Sequence, residues 1–162
     1  MSKLKLLSRR EYEGWLKAMP PDYCAFCDWR VNQIVLEETP HWLWIANRAP
    51  YWRYHTMFVS KRHLRELGEL NVSEVGGLVD IYTHAIERFR KAKLARADGT
   101  SIQKYVLFWR LRDNLMDVVS GNMRPDHFHI HLAPDKDHLW DPIVDEGAVD
   151  IDMKKFIRRM KR

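Results

Sequence analysis

The sequence is poor in the residues and runs that mark secreted or membrane chains. Only 2 of its 162 residues are cysteines, too few for the disulfide framework of a small secreted scaffold. No apolar run reaches the roughly 18 residues that a membrane-spanning helix needs. The basic start Met1-Ser2-Lys3-Leu4-Lys5-Leu6-Leu7 leads into Ser8-Arg9-Arg10 rather than into an apolar stretch with a cleavage site. A soluble, cytoplasmic protein is therefore expected. With 7 glycines and 7 prolines, and no internal repeat or low-complexity stretch, most of these residues mark turns rather than linkers. A chain that is 46% hydrophobic and 30% charged fits one globular domain over residues 1–162.

The formal charge of +5 invites a nucleic-acid reading, but it is concentrated at one end. Met153 to Arg162 carry Lys154, Lys155, Arg158, Arg159, Lys161 and Arg162 and no acid, and outside them 21 basic residues face 22 acidic ones. The tail is either a solvated helix end or a weak phosphate contact, and the body is close to neutral. Cys24 and Cys27 form a C-x-x-C pair, which without a secretory signal is half of a zinc site or a redox pair. No βαβ unit of the thioredoxin type is visible, so zinc is preferred, and two further ligands are required.

Local patterns outline the elements. Residues 8–18 predict a short helix with Tyr12, Trp15 and Leu16 on one side, stopped by Pro20-Pro21. The stretches 34–37, 42–46 and 56–60 predict three sequential antiparallel strands separated by Thr39-Pro40 and Arg48-Ala49-Pro50. Asn71 and Glu74 form a capping pair ahead of Val75, Leu78, Val79, Tyr82, Ile86 and Phe89 at helical spacing, which predicts a long helix over 72–95. Residues 105–112 predict a fourth strand. Met153, Phe156, Ile157 and Met160 predict a final amphipathic helix at about 150–162, preceded by irregular chain beyond Pro142. Sequential strands with few helices make the fold class α+β: an antiparallel sheet of about five strands with one long helix.

The segment His127-Phe128-His129-Ile130-His131-Leu132 alternates histidine with apolar residues. In a strand that period puts three imidazoles on one face and three apolar side chains on the other. Buried imidazoles need hydrogen-bond partners and exposed ones need no alternation, so packing alone explains the pattern poorly. Such a cluster can hold a metal, or supply a nucleophilic imidazole with neighbours that bind phosphate and assist a leaving group.

These residues resemble the histidine-triad family, whose signature is three histidines separated by single apolar residues and followed by two more. The likeness extends upstream. Tyr54-His55 and the strand to Ser60-Lys61-Arg62-His63 are similar to the family's Gly-His, apolar strand and Pro-Lys-x-His; Asn47 and Pro50 stand eight and five residues before His55, where members carry a ribose-binding Asn or Asp and a proline. With Cys24 and Cys27 included, the resemblance covers about 22–140. It implies a nucleotide hydrolase or nucleotidyl transferase acting at the α-phosphate of a nucleotide conjugate or dinucleoside polyphosphate. His129 would be the nucleophile, His131 would aid the phosphate or leaving group, His127 would orient beside it, and His55 would sit against the triad. Asn47 would hold the ribose and Ile45 would line the base pocket. One structural zinc per chain would be held by Cys24, Cys27, His63 and His127, and a homodimer is the implied assembly.

The departures are Tyr54 for glycine, Ser60 for proline, and Gly121-Asn122-Met123-Arg124-Pro125-Asp126 in place of the family's Gly-Gln-Ser/Thr-Val approach. Arg124, or Arg110 with Arg112, could take over phosphate binding, or could simply be solvated. His41, His84, His138, Trp15, Trp42, Trp44 and Trp140 are expected to be surface or packing residues. Two other classes remain open: a nucleotide-binding module without turnover, and an enzyme that removes adenylate from nucleic-acid 5′ ends, anchored by the basic helix. The neutral body makes nucleic acid the less favoured partner.

Overall fold

The computed structural model describes residues 6–50, 52–95, 99–109, 127–134 and 146–161. Its centre is one antiparallel sheet in the order β1-β2-β3-β5-β4, with β1 Ile34–Glu38, β2 Trp42–Ala46, β3 Thr56–Ser60, β4 Tyr105–Phe108 and β5 His129–Pro134. This is the expected α+β architecture. The helices are α1 Arg9–Ala18, α2 Trp29–Asn32, α3 Val72–Ala92 and α4 Glu146–Met160.

Capping fixes where the helices start. Ser8 and Glu11 form a reciprocal capping box at α1, and Asn71 and Glu74 form another at α3. Arg62 holds Glu74 through two hydrogen bonds of 2.8 and 2.7 Å, and this pairing, with the Asn71 backbone, lowers the carboxyl pKa to about 2. Helix α3 ends at Ala92 rather than 95, because Lys93 turns into the left-handed region at φ 47°. The last helix begins at Glu146, about four residues before the expected start. Its visible apolar repeat begins only at Met153, while the preceding turns are acidic, which suits a helix N-terminus. Of the strand expected over 105–112, Tyr105–Phe108 is observed and 110–112 lie outside the described residues.

Antiparallel pairing places directly opposed residues on the same face. On one face Trp42, Trp44, Phe58, Ile130 and Leu132 pack under Ile81, Ala85 and Phe89 of α3 and Met153, Phe156 and Met160 of α4. The Trp42 indole N–H donates to the Glu74 carbonyl at 2.7 Å, and at Gly77 a Cβ would stand 3.3 Å from the Trp42 ring, so helix and strand approach closely there. Arg88 donates to the Met160 carbonyl and Arg159 to the Ala92 carbonyl, so each helix end is capped by the other. The opposite face carries Leu43, Ile45, Met57 and Val59, with Phe26, Trp29 and Val35 against them. In this register Met57 opposes His131 and Val59 opposes His129. The expected alternation is observed.

Phe89 is fully buried between Trp44, Tyr105 and Phe156. Phe89→Ala is expected to cost about 3–5 kcal/mol and Asn71→Ala about 1 kcal/mol in denaturant unfolding. Equal losses would contradict this division between core and cap.

Candidate active site and metal centre

The histidine face of β5 is organised by backbone carbonyls. His129 Nδ1–H donates to the His127 carbonyl at 2.7 Å, which leaves Nε2 of the neutral ring with its lone pair. That is the form a nucleophile requires. His127 Nε2–H donates to the Ser60 carbonyl at 2.6 Å, leaving Nδ1 as a ligand atom. Burial pulls the His127 pKa down to about 4, with His63 and His129 adding to the effect against the Ser60 hydrogen bond. The ring is neutral at physiological pH.

His55 is fully buried, and its Nε2 lies 2.9 Å from His131 Nδ1. Its Nδ1 lies 3.2 Å from Asn47 Nδ2, while the Ala49 N–H donates to Asn47 Oδ1 at 2.9 Å. Asn47, His55 and His131 thus form a continuous chain. Ile45 is fully buried on the same face, and Met57 stands between it and His131 in register.

The turn carrying Phe26 also supplies Cys24 and Cys27. Cys24 Sγ and Cys27 Sγ lie 3.3 and 3.6 Å from His127 Nδ1, and Cys27 Sγ lies 3.1 Å from His63 Nδ1. All the ligand atoms of Cys24, Cys27, His63 and His127 fall within 4.8 Å of one another. A tetrahedral zinc with ordinary S and N bond lengths needs sulfur-to-nitrogen edges of about 3.6 Å. The residues therefore fit a Cys2His2 metal centre, the set implied by the sequence. An open cavity of about 610 Å³ adjoins it, lined by Pro20, Asp22, Tyr23, Cys24, Cys27, Asp28 and His63.

Several contributors were not singled out from the sequence. Phe26 lies between the two thiols in the chain, and its ring centroid stands 4.9 Å from that of His129, so the loop bearing the two cysteines also forms a wall beside that imidazole. Phe108 stacks on His131 at 4.6 Å and 8°, and Trp52 flanks His55 at 5.1 Å. Strand neighbours are invisible until pairing is known, although Phe26 stood in plain view inside the C-x-x-C motif. Tyr54 has φ 59°, a left-handed conformation that costs an ordinary residue about 1–2 kcal/mol. A glycine would adopt it without that cost. Tyr54 is retained by its hydroxyl, which donates to the Ala95 carbonyl, by its N–H against Met153 Sδ, and by its ring against Phe156 of α4. Ser60, in place of proline, donates its hydroxyl to the Phe128 carbonyl at 3.2 Å.

No family model matches the sequence, and no curated protein matches it significantly. Solved structures do match. A hypothetical histidine triad nucleotide-binding protein from Sulfolobus tokodaii superposes with a TM-score of 0.58 at 17% identity, over 85% of this chain and 91% of that one. The chain has the histidine-triad fold. A Zn-bound histidine triad family protein from Mycobacterium smegmatis matches at TM-score 0.50 and 18% identity, over 85% and 94% of the two chains. Diadenosine triphosphate hydrolase from Plasmodium falciparum matches at 0.52 and 14%, over 78% and 73%.

Within this histidine-triad fold, His127, His129, His131, His55, Asn47 and Ile45 come together, as do the four metal-centre residues. Arg110, Arg112, Arg124, His138 and Trp140 lie outside the described residues. His41 bonds Ser73, His84 pairs with Glu37, and Trp15 packs against Tyr12, Tyr23 and Arg48. Among the described residues, no helix is long and apolar enough to cross a membrane.

Partial burial, reinforced by Cys24 beside it, raises the Cys27 thiol to about 11, so the metal-free sulfur is protonated at neutral pH. Metal binding must expel that proton. Titration of metal-free protein with cobalt(II), followed by thiolate absorption, is expected to show one site per chain whose affinity falls as pH is lowered. An affinity independent of pH would contradict thiolate ligation by Cys27.

Proposed function

We propose that the protein is a nucleotide hydrolase or nucleotidyl transferase that acts at the α-phosphate of a nucleotide conjugate through a covalent nucleotidyl-His129 intermediate. The observation that carries this reading is the His129 tautomer: Nδ1–H donates to the His127 carbonyl, and Nε2 keeps the attacking electron pair. Attack forms the phosphorus-nitrogen bond as the bond to the leaving group breaks. Water then cleaves the phosphorus-nitrogen bond, releasing the nucleoside monophosphate and restoring the imidazole. His131 stands beside His129, with ring centroids 4.9 Å apart, and serves the phosphate or leaving-group oxygen. His55 supports it from behind.

Nucleotide binding is assigned to the same face. Phe26, Trp29 and Val35 would supply an apolar wall for a base with the buried Ile45 packed behind it, and Asn47 Oδ1, which accepts from the Ala49 N–H, would accept a ribose hydroxyl with its second lone pair. Arg110 and Arg124 are assigned to phosphate, by charge alone. The metal is assigned as one structural zinc on Cys24, Cys27, His63 and His127. It would tie the N-terminal loop to the strand bearing the nucleophile, and would fix Phe26 beside His129. Thiolate ligands need reducing surroundings, which fits a cytoplasmic protein. We assign residues 1–162 to a single domain.

Homodimerisation is assigned to α3. Val72, Val75, Val79 and Tyr82 recur along its outer side and are 91%, 47%, 58% and 37% exposed, an apolar stripe that a monomer gains nothing from displaying. Sedimentation should report a dimer that Val75→Glu with Val79→Glu converts to a monomer; an unchanged mass removes this surface from consideration.

The enzymatic reading is tested by AMP release from an adenosine phosphoramidate and a diadenosine polyphosphate. His129→Ala is expected to lose about three or more orders of magnitude in kcat with folding intact. Saturable nucleotide binding without turnover in either protein would instead make this a binding module.

A further inference from the structure

The hydrogen-bond chain behind His131 has a direction, and Asn47 sets it. A backbone N–H can only donate, so the Ala49 N–H at 2.9 Å identifies the Asn47 atom facing it as the carbonyl oxygen. The other end of the amide, which faces His55 Nδ1 at 3.2 Å, is therefore the NH2 group and must donate. His55 accepts at Nδ1 and carries its proton on Nε2. That proton is donated to His131 Nδ1 at 2.9 Å. His131 in turn accepts at Nδ1 and carries its own proton on Nε2.

This order opposes a charged His131. An imidazolium carries protons on both nitrogens, so Nδ1–H would meet the His55 Nε2–H. His55 could yield only by moving its proton to Nδ1, where it would meet the Asn47 NH2. Either arrangement sets two donors against each other at a residue with no exposed surface, where such a mismatch cannot be relieved by water. Resting on the nucleotidyl-transfer reading above, we propose that Asn47 is a specificity-determining positioning residue. Through His55 it holds His131 as a neutral Nε2–H donor, and so directs the enzyme to substrates whose leaving group departs as a phosphate oxyanion rather than as an amine.

The chemistry of the two classes differs in its proton balance. When a dinucleoside polyphosphate or another pyrophosphate-linked conjugate is attacked by His129, the phosphorus-oxygen bond breaks and its electron pair stays on a phosphate oxygen, stable as an anion. A hydrogen bond from neutral His131 is sufficient, and no proton has to be transferred. When a phosphoramidate is attacked, the departing nitrogen must gain a proton as its bond to phosphorus breaks. A neutral imidazole can give that proton only by becoming an imidazolate, whereas an imidazolium gives it readily. Asn47→Asp reverses the chain with little change in shape. The carboxylate accepts from His55 Nδ1–H, His55 Nε2 accepts from His131 Nδ1–H, and a doubly protonated His131 becomes compatible with its neighbours.

The first test needs neither substrate nor variant. In zinc-loaded protein labelled with 15N-histidine, the ring nitrogens of His55 and His131 should each show an unprotonated Nδ1 and a protonated Nε2 at neutral pH. A protonated Nδ1 on either ring overturns the proposal. In Asn47→Asp the Nδ1 atoms should become protonated, and an unchanged spectrum in folded variant overturns it equally. The second test is the ratio of kcat/KM for diadenosine polyphosphate to that for adenosine phosphoramidate. It should favour the polyphosphate in the wild type and fall by about tenfold or more in Asn47→Asp; a wild-type preference for the phosphoramidate, or an unmoved ratio, refutes the specificity claim. Asn47→Ala covers the case in which the aspartate variant does not fold, and should lose kcat on both substrates while the His129→Ala comparison still reports the covalent step. Turnover of neither substrate by the wild type would overturn the functional reading and the specificity claim with it, while the nitrogen spectrum would still decide the direction of the chain.

Discussion

The pairing of β5 with β3 is the constraint from which the site follows. In the observed register Ile130 and Leu132 enter the packed face under α3 and α4, while His129 and His131 fall opposite Val59 and Met57 on the other. A slip of one residue would bury imidazoles against Phe89 and expose the apolar set, so burial of that set holds the register. The same pairing brings the Ser60 carbonyl to His127 and the His55 ring to His131. The candidate metal centre, the candidate nucleophile and the hydrogen-bond chain behind His131 thus all depend on one ladder.

Around that ladder the chain tolerates local cost at the point where His55 enters. Tyr54 sits in left-handed backbone directly before His55, and residues of α4 and the Ala95 carbonyl hold it there. The last helix is therefore more than a basic tail: its apolar side closes the core, Arg159 caps α3, and Phe156 braces the turn behind the site. Its basic residues are concentrated where two helix C-termini meet, and cations favour such ends whatever else they bind.

Legibility differed by kind of signal. Strands β2 and β3 and the start of α3 could be read to the residue, because prolines, a capping box and β-branched runs act locally. The short α2 and the early start of α4 escaped, since neither carries an apolar repeat at its beginning. In the site, the clustering of Cys24, Cys27, His63 and His127 was legible from family resemblance, and the histidine face from spacing. Phe108, Trp52 and the role of Tyr54 were not, because each acts on a residue distant in sequence or through a backbone angle.

By itself the sequence determined the α+β class, the alternation of β5 and the four residues able to ligate one metal. Those are set by residue type and short spacing, which act within one element. Only the tertiary structure decided the direction of the proton-bearing chain from Asn47 to His131, the brace of α4 on Tyr54, and the placing of Phe26 against His129. A hydrogen bond acquires a direction only when both partners and their other neighbours are in place, and here those neighbours come from the segment after β2, the turn before β3, and β5.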